Sequence, residues 1–322
     1  MVVRSENSWE TETKSELVSI GTHRLFLSTS GPPRKPGTAV VIFFTGGGVP
    51  VLAHTHLQDL ISKSSRCYFY DRAGYDYSER GPIEHPTSED AAYEAWNLLH
   101  AVKVAPPYVL VSHSYGGIIA RTFLEQHSEA IAGMVLADTA AELMYELWPH
   151  VPATSLEAVG KDVDFLKLTH FLEESGYTEE ELEAIIKAIE RTQPAAIAED
   201  NRTGVRALAQ RRQYTRVIMG DKPLSVIRCN MARDYRIIYE AGVKAGNGTE
   251  AEREDAKRFI ETFDIYDDVI RAAQVRLSRN SKYVVIEDCG HDVPMRRPRI
   301  IANEVEWVLE QLQSRSPQEI AS

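Results

Sequence analysis

The sequence predicts an α/β fold in which a mostly parallel sheet is covered by helices. Short runs rich in β-forming residues alternate with stretches of helical periodicity. One run, Ala39-Val-Val-Ile-Phe-Phe44, is apolar throughout, as expected of a strand buried on both faces. The chain has 322 residues, 43% of them hydrophobic and 26% charged, the balance of a globule with a substantial core. At about 150 residues per domain this length suits two domains, or one α/β domain carrying a large insertion.

The elements follow in order. Glu16 to Ile20 and His23 to Ser28 read as strands joined at Gly21 in a hairpin. The Ala39–Phe44 strand stops at Thr45-Gly-Gly-Gly48, and a strand over Arg66 to Tyr70 ends in Asp71-Arg-Ala-Gly74. Pro86 to Val104 carries helical periodicity, and Tyr108 to Val111 is a strand turning at Ser112 to Gly116 into a helix over Gly117 to His127. Ile131 to Ala137 is a strand that Asp138 ends. From Thr139 to Asp221 only helical patterns occur, including a capping box at Thr178-Glu-Glu-Glu181 that opens a helix to Arg191. Between Phe171 and Asp200 nine acids face only Lys187 and Arg191, and Arg202, Arg206, Arg211, Arg212 and Arg216 follow; such a run reads as a solvated helical insert. Strand character returns at Leu224 to Cys229 and Lys282 to Ile286, with a charged helical segment over about Ala251 to Leu277 and a last helix over Pro298 to Gln313. The expected division is a core over 16–138 and 222–314, a helical cap over 139–221, and flexible termini at 1–15 and 315–322.

A net charge of −11 argues against nucleic acid or an anionic membrane surface as partner and leaves a small molecule. Cys67, Cys229 and Cys289 have no zinc or redox spacing and read as buried thiols of a reducing, cytoplasmic compartment. The first residues lack the apolar core of a secretory signal, and no apolar run is long enough to span a bilayer. The sequence sets no oligomeric state.

Three motifs carry chemistry. In Val109-Leu-Val-Ser-His-Ser-Tyr-Gly-Gly117 a strand enters a five-residue turn and then a helix, the context of a nucleophile elbow. The turn needs small residues two before and two after the nucleophile; Ser112 and Gly116 fit Ser114, whereas Leu110 would clash if Ser112 were the nucleophile. In Glu287-Asp-Cys-Gly-His291, His291 follows the last strand, and a serine hydroxyl needs such an imidazole to take its proton. In Phe44-Thr-Gly-Gly-Gly-Val49, glycines allow close approach of backbone N–H groups, so Gly47 and Tyr115 are the candidate oxyanion donors. No phosphate-binding glycine pattern is present.

In this order, with Asp71-Arg-Ala-Gly-Tyr-Asp-Tyr-Ser78 and Gly-Met-Val-Leu-Ala-Asp138 between them, the motifs resemble the α/β-hydrolase superfamily from about Val18 to Leu312. The resemblance implies an eight-stranded, mostly parallel sheet, a helical cap inserted after strand six, a Ser–His–acid triad and no cofactor. Thr45 departs from the family's His-Gly dipeptide, and no Gly-x-x-Asp follows Leu224 to Cys229. Asp71 and Arg72 match a turn that is structural in the family. The acid is Asp138, directly after strand six, or Asp234, near the family's commoner place but between Arg233 and Arg236 in a helical stretch; Asp138 is the choice. The expected reaction is cleavage of an ester, thioester or lactone of a partly apolar small molecule. Alternatives are acyl transfer, cyclisation or C–C cleavage by the same triad, or a silent receptor; an epoxide hydrolase or dehalogenase would need Asp at position 114. His54 and Trp148 are candidate substrate-lining residues, with Tyr145 and Phe165 near them. His54 and His56 lack a third metal ligand, so no metal is expected.

Overall fold

The computed structural model describes residues 7–314. Its sheet has eight strands: β1 Lys14–Ser19, β2 Arg24–Ser30, β3 Val40–Phe44, β4 Cys67–Tyr70, β5 Tyr108–His113, β6 Ile131–Ala137, β7 Leu224–Cys229 and β8 Ser281–Ile286. Their spatial order is β1-β2-β4-β3-β5-β6-β7-β8. β2 pairs antiparallel with β1 and β4, and every other pairing is parallel. The mostly parallel sheet read from the sequence is the sheet observed.

Side-chain alternation along each strand splits the central apolar runs between two faces. Val40, Ile42, Phe44, Leu110, Met134 and Leu136 pack with the helices Ser88–Ala101 and Gly116–Gln126. Val41, Phe43, Val109, Val111 and Val135 pack with the helices Thr55–Ile61 and Pro298–Ser314. This two-faced burial is why β3 reads as unbroken hydrophobic sequence. It also aligns the C-terminal ends of β3, β5, β6 and β8 along one edge, the usual place of a site in an open α/β sheet.

Residues 7–15 differ from the flexible segment expected. Ser8–Thr11 is a short helix capped by Asn7, and Trp9 is buried, its carbonyl accepting hydrogen bonds from Arg66 and the Tyr68 hydroxyl. β1 begins at Lys14. The burial partners, Arg66 and Tyr68, come from β4 and the residue before it, so a window on the N-terminus alone does not reveal them. The remaining expected flexible residues, 1–6 and 315–322, lie outside the described residues.

Between β6 and β7 the chain is helical, and the insert has two parts. The helix Asn201–Arg211 packs on Gly116–Gln126 and on Ser88–Ala101, and Val205 and Leu208 join the main core. The long helix Glu179–Ala198 instead lies over the loops after β3 and β4: Cβ atoms added to Gly48 and Gly74 would meet Gln193 and Ala195. It continues past Arg191, where sequence periodicity ends it, and passes through Pro194. Packing on the two loops overrides the local breaker signal. A second helical excursion, Met231–Ala245 and Glu250–Ala273, leaves the sheet between β7 and β8 and carries the insert's helix Thr154–Val159 on its surface. The arginine-rich stretch of the insert pairs with core acids, Arg211 with Glu89 and Arg216 with Glu125 at 2.6 Å. Exposed pairs of this kind contribute up to about 1 kcal/mol each, so they set register more than stability. No described helix is long and apolar enough to cross a membrane.

Candidate active site

β5 delivers Ser114 at a turn that only small neighbours permit. Its φ of 52° lies in the left-handed region, a strained conformation for a serine. A Cβ on Gly116 would stand 2.2 Å from the Phe44 carbonyl oxygen, and one on Gly117 would stand 2.3 Å from Thr139 Cβ. Ser112, in place of the more usual glycine, is fully buried. Ser114 therefore stands half-buried at the N-terminus of the helix Gly116–Gln126, where the helix dipole favours developing negative charge.

Three side chains from three strand ends form a line. His291 Nε2 is 2.9 Å from Ser114 Oγ, and His291 Nδ1 is 2.6 Å from Asp138 Oδ2. A carboxylate only accepts, so Nδ1–H donates to Asp138 and Nε2 presents its lone pair to the serine hydroxyl. Asp138 is fully buried, and it too has a left-handed φ, 47°. Its Oδ1 accepts the Cys229 N–H at 2.9 Å. Burial alone would raise the pKa of its carboxyl. The Arg271 guanidinium, 3.7 Å away, together with hydrogen bonds from His291 and the Cys229 N–H, outweighs burial and holds the group well below the usual carboxylate range. Asp138 is thus a fixed anion that can orient an imidazole and stabilise its protonated form.

Arg271 was not among the residues singled out from the sequence. It is 1% exposed, bonds Asp267 at 2.9 Å and donates to the Thr139 carbonyl at 2.5 Å. A signal for it existed. In the helix Glu250–Ala273, Ala256, Ile260, Phe263, Asp267 and Ile270 recur at helical spacing, which puts Asp267 and Arg271 on the apolar stripe.

Asp234, the other candidate acid, makes no hydrogen bond to His291; its carboxylate pairs with Arg233 at 2.8 Å. Burial raises its pKa, and neighbouring Asp292 adds to the effect. It still serves the loop that carries His291. A Cβ on Gly290 would overlap Asp234 Oδ2, at 1.6 Å, which accounts for the glycine before the histidine.

The Gly-rich loop lies on the elbow: a Cβ on Gly46 would stand 3.0 Å from Ser114 Cβ, and one on Gly47 3.8 Å from Tyr115 Cβ. Among the described residues, neither the Gly47 N–H nor the Tyr115 N–H has a hydrogen-bond acceptor, whereas the Gly48 N–H donates to the Tyr75 hydroxyl at 2.9 Å. Two N–H groups without acceptors beside the Ser114 hydroxyl are free to receive one.

The substrate-lining residues expected from the sequence lie elsewhere. His54 is fully buried behind the Gly-rich loop, edge-on to Phe43, with Nε2 3.1 Å from Thr45 Oγ1. Thr45 donates its own proton to the Val49 carbonyl at 2.5 Å, so His54 donates to Thr45. It is a prop for the loop at Thr45. His113, inside the turn before Ser114, is buried and donates from Nε2 to the His291 carbonyl at 2.8 Å. Trp148 packs on Phe263 and Phe259 and lines an open depression of about 430 Å³ with Leu147, His150 and Tyr266, none of which belongs to the Ser114 line. Its position at the base of the insert, against the second helical excursion, is set by contacts with residues more than a hundred positions away.

Burial drives His54 down to about 3 and His113 well below its ordinary value, because neither imidazolium could be solvated there. Both are depressed relative to about 6.5 in the unfolded chain, so their contribution is present above pH 6.5 and is lost as pH falls toward 3. Thermal stability should therefore drop on acidification through this window. His54→Gln, which keeps a neutral donor, should flatten the drop in a Tm-against-pH series. An identical slope in the variant would remove His54 as its source.

Residues 41–304 match the family model described as "Alpha/beta hydrolase family". Over 322 aligned residues the chain is 30% identical to an AB hydrolase superfamily protein of Gibberella zeae, covering 94% of this chain and 98% of that protein. It is 32% identical over 321 residues to the "Probable transporter efuK" of Hormonema carpetanum, covering 95% of this chain but only 44% of that longer protein. Among solved structures it resembles a thermophilic esterase from Thermogutta terrifontis, with a TM-score of 0.56, 18% identity, and coverage of 94% of this chain and all of that one (100%). The likeness to the esterase concerns the fold.

Proposed function

This chain belongs to the alpha/beta hydrolase family, and from that premise we propose that it is a serine hydrolase that cleaves an ester, thioester or lactone of a partly apolar small molecule through an acyl-enzyme. The observation that carries the proposal is the Ser114–His291–Asp138 line beside the two acceptorless N–H groups of Gly47 and Tyr115. In this mechanism Ser114 Oγ attacks the carbonyl carbon as its proton passes to His291 Nε2. The carbonyl oxygen becomes an oxyanion held by the Gly47 and Tyr115 N–H groups. Asp138 holds the imidazolium through Nδ1–H, and His291 gives the proton to the departing alkoxide or thiolate, which becomes the alcohol or thiol and, in a lactone, stays tethered to the acyl chain. Water, activated by the same imidazole, then attacks the acyl-enzyme and releases the acid and Ser114. The chemistry requires no cofactor.

A cytoplasmic location is part of the proposal and rests on three buried, unpaired cysteines. The net charge of −11 favours a small-molecule substrate over a nucleic acid or a membrane surface. The test is labelling with a fluorophosphonate, located by peptide mass spectrometry, beside turnover of p-nitrophenyl esters of increasing chain length. A stoichiometric adduct on Ser114 is expected; a protein that takes up no probe would sink the proposal.

A further inference from the structure

One side chain of the insert is hydrogen-bonded to the two residues that hold the Gly-rich loop. Glu199 lies at the junction of two insert helices, just after Glu179–Ala198 and just before Asp200, whose carboxylate caps Asn201–Arg211. The junction is pinned to the core by the Asp200 N–H, which donates to the Pro86 carbonyl at 2.9 Å. Glu199 turns inward; its side chain is 6% exposed. It accepts from Arg72 Nε at 2.6 Å and from the Tyr75 hydroxyl at 2.8 Å.

Arg72 in turn holds the Gly-rich loop by its backbone. Nη1 donates to the Thr45 carbonyl at 2.7 Å and Nη2 to the Gly46 carbonyl at 3.0 Å. Tyr75 adds the third tie, accepting the Gly48 N–H. The Gly46–Gly47 peptide is trans, so its C=O and N–H point in opposite directions. With the Gly46 carbonyl drawn to Arg72, the Gly47 N–H is turned away from Arg72. It has no acceptor, and its residue lies on the elbow beside Tyr115. Glycine backbone is otherwise free to rotate this peptide, so an external tie is needed to fix it.

We infer that Glu199 is a positioning residue: through Arg72 and Tyr75 it fixes the orientation of the Gly46–Gly47 peptide, so that the seating of the insert determines whether the oxyanion receptor is formed. The inference rests on the hydrolase reading above. It differs from a general role of the insert in stability, because one contact is singled out and the effect falls on the charged intermediate, not on substrate binding.

The experiment compares Glu199→Gln with Arg191→Gln in the full chain. Arg191 lies on the same insert helix and bonds Asp76 at 2.6 Å, but it does not touch the Gly-rich loop. With an ester the wild type turns over, Glu199→Gln should lower kcat about tenfold to a hundredfold, part of the 10²–10³-fold lost when an oxyanion donor is removed outright, with KM within about twofold. Its affinity for a trifluoromethyl ketone, whose adduct carries the same oxyanion, should fall in proportion. Arg191→Gln should leave all three within about twofold. Unchanged kcat in Glu199→Gln, a loss confined to KM, or an equal loss in Arg191→Gln would overturn the inference. Should Glu199→Gln fail to fold by circular dichroism, Tyr75→Phe, which cuts the Gly48 tie, carries the test. A several-fold loss of kcat is expected, and wild-type kcat would overturn the inference. A wild-type protein that no fluorophosphonate labels removes the hydrolase reading and this inference together; a labelled wild type with an unaffected Glu199→Gln removes this inference alone.

Discussion

Ser114→Ala should lower kcat by about 10⁵–10⁶-fold, the scale seen when the nucleophile of a serine protease triad is removed. The fold should survive. The change deletes one half-buried hydroxyl and its hydrogen bond to His291, worth about 1 kcal/mol. Alanine meets the same left-handed backbone requirement as serine, so the strain at φ 52° is unchanged. Activity and thermal unfolding measured on one preparation separate the two effects. Turnover near the wild-type rate would refute Ser114 as nucleophile, and a collapse of Tm would mean that the lost activity reports unfolding.

Asp138→Asn should lower kcat by up to about 10⁴-fold, while Asp234→Asn should cost less than about tenfold. The asymmetry follows from the partners. At Asp138 the variant can still accept the Cys229 N–H, but an amide nitrogen facing Nδ1 favours the wrong imidazole tautomer. It also leaves Arg271 with Asp267 as its remaining close carboxylate and takes the compensating anion away from the imidazolium. At Asp234 the variant keeps the shape that packs on Gly290 and loses only a pair with the half-buried Arg233. Both variants are compared under one set of conditions with unfolding as a control. If Asp234→Asn proves the more damaging, the carboxylate that serves His291 is not the one bonded to it here.

Much of the fold could be read directly. β3 declares itself because both of its faces are buried, and the elbow because its turn tolerates only small residues around Ser114. Asp138 could be weighed from sequence because it ends a strand with nothing between. What stayed hidden depends on contacts across long separations. Glu199 reads as one more acid in a solvated run, and only the fold brings Arg72 to it from 127 positions away. His54 reads as a cleft residue because sequence gives its nearness to the Gly-rich loop but not the side of the loop. Arg271 looks like the second half of an ordinary i, i+4 pair until its place on the apolar stripe is noticed.

Two residues of the Ser114–His291–Asp138 line, Ser114 and Asp138, occupy backbone that glycine adopts more readily. A left-handed residue with a side chain costs about 1–2 kcal/mol. Gly at 114 would relieve that strain and end the chemistry, whereas Gly at 138 would also strip the Cys229 N–H and the buried Arg271 of a carboxylate partner. Selection for stability alone and selection for chemistry therefore pull the codon for residue 114 in opposite directions. A population propagated under heat with no demand on turnover should drift toward glycine at 114, and copies that keep Ser there record that turnover was being selected.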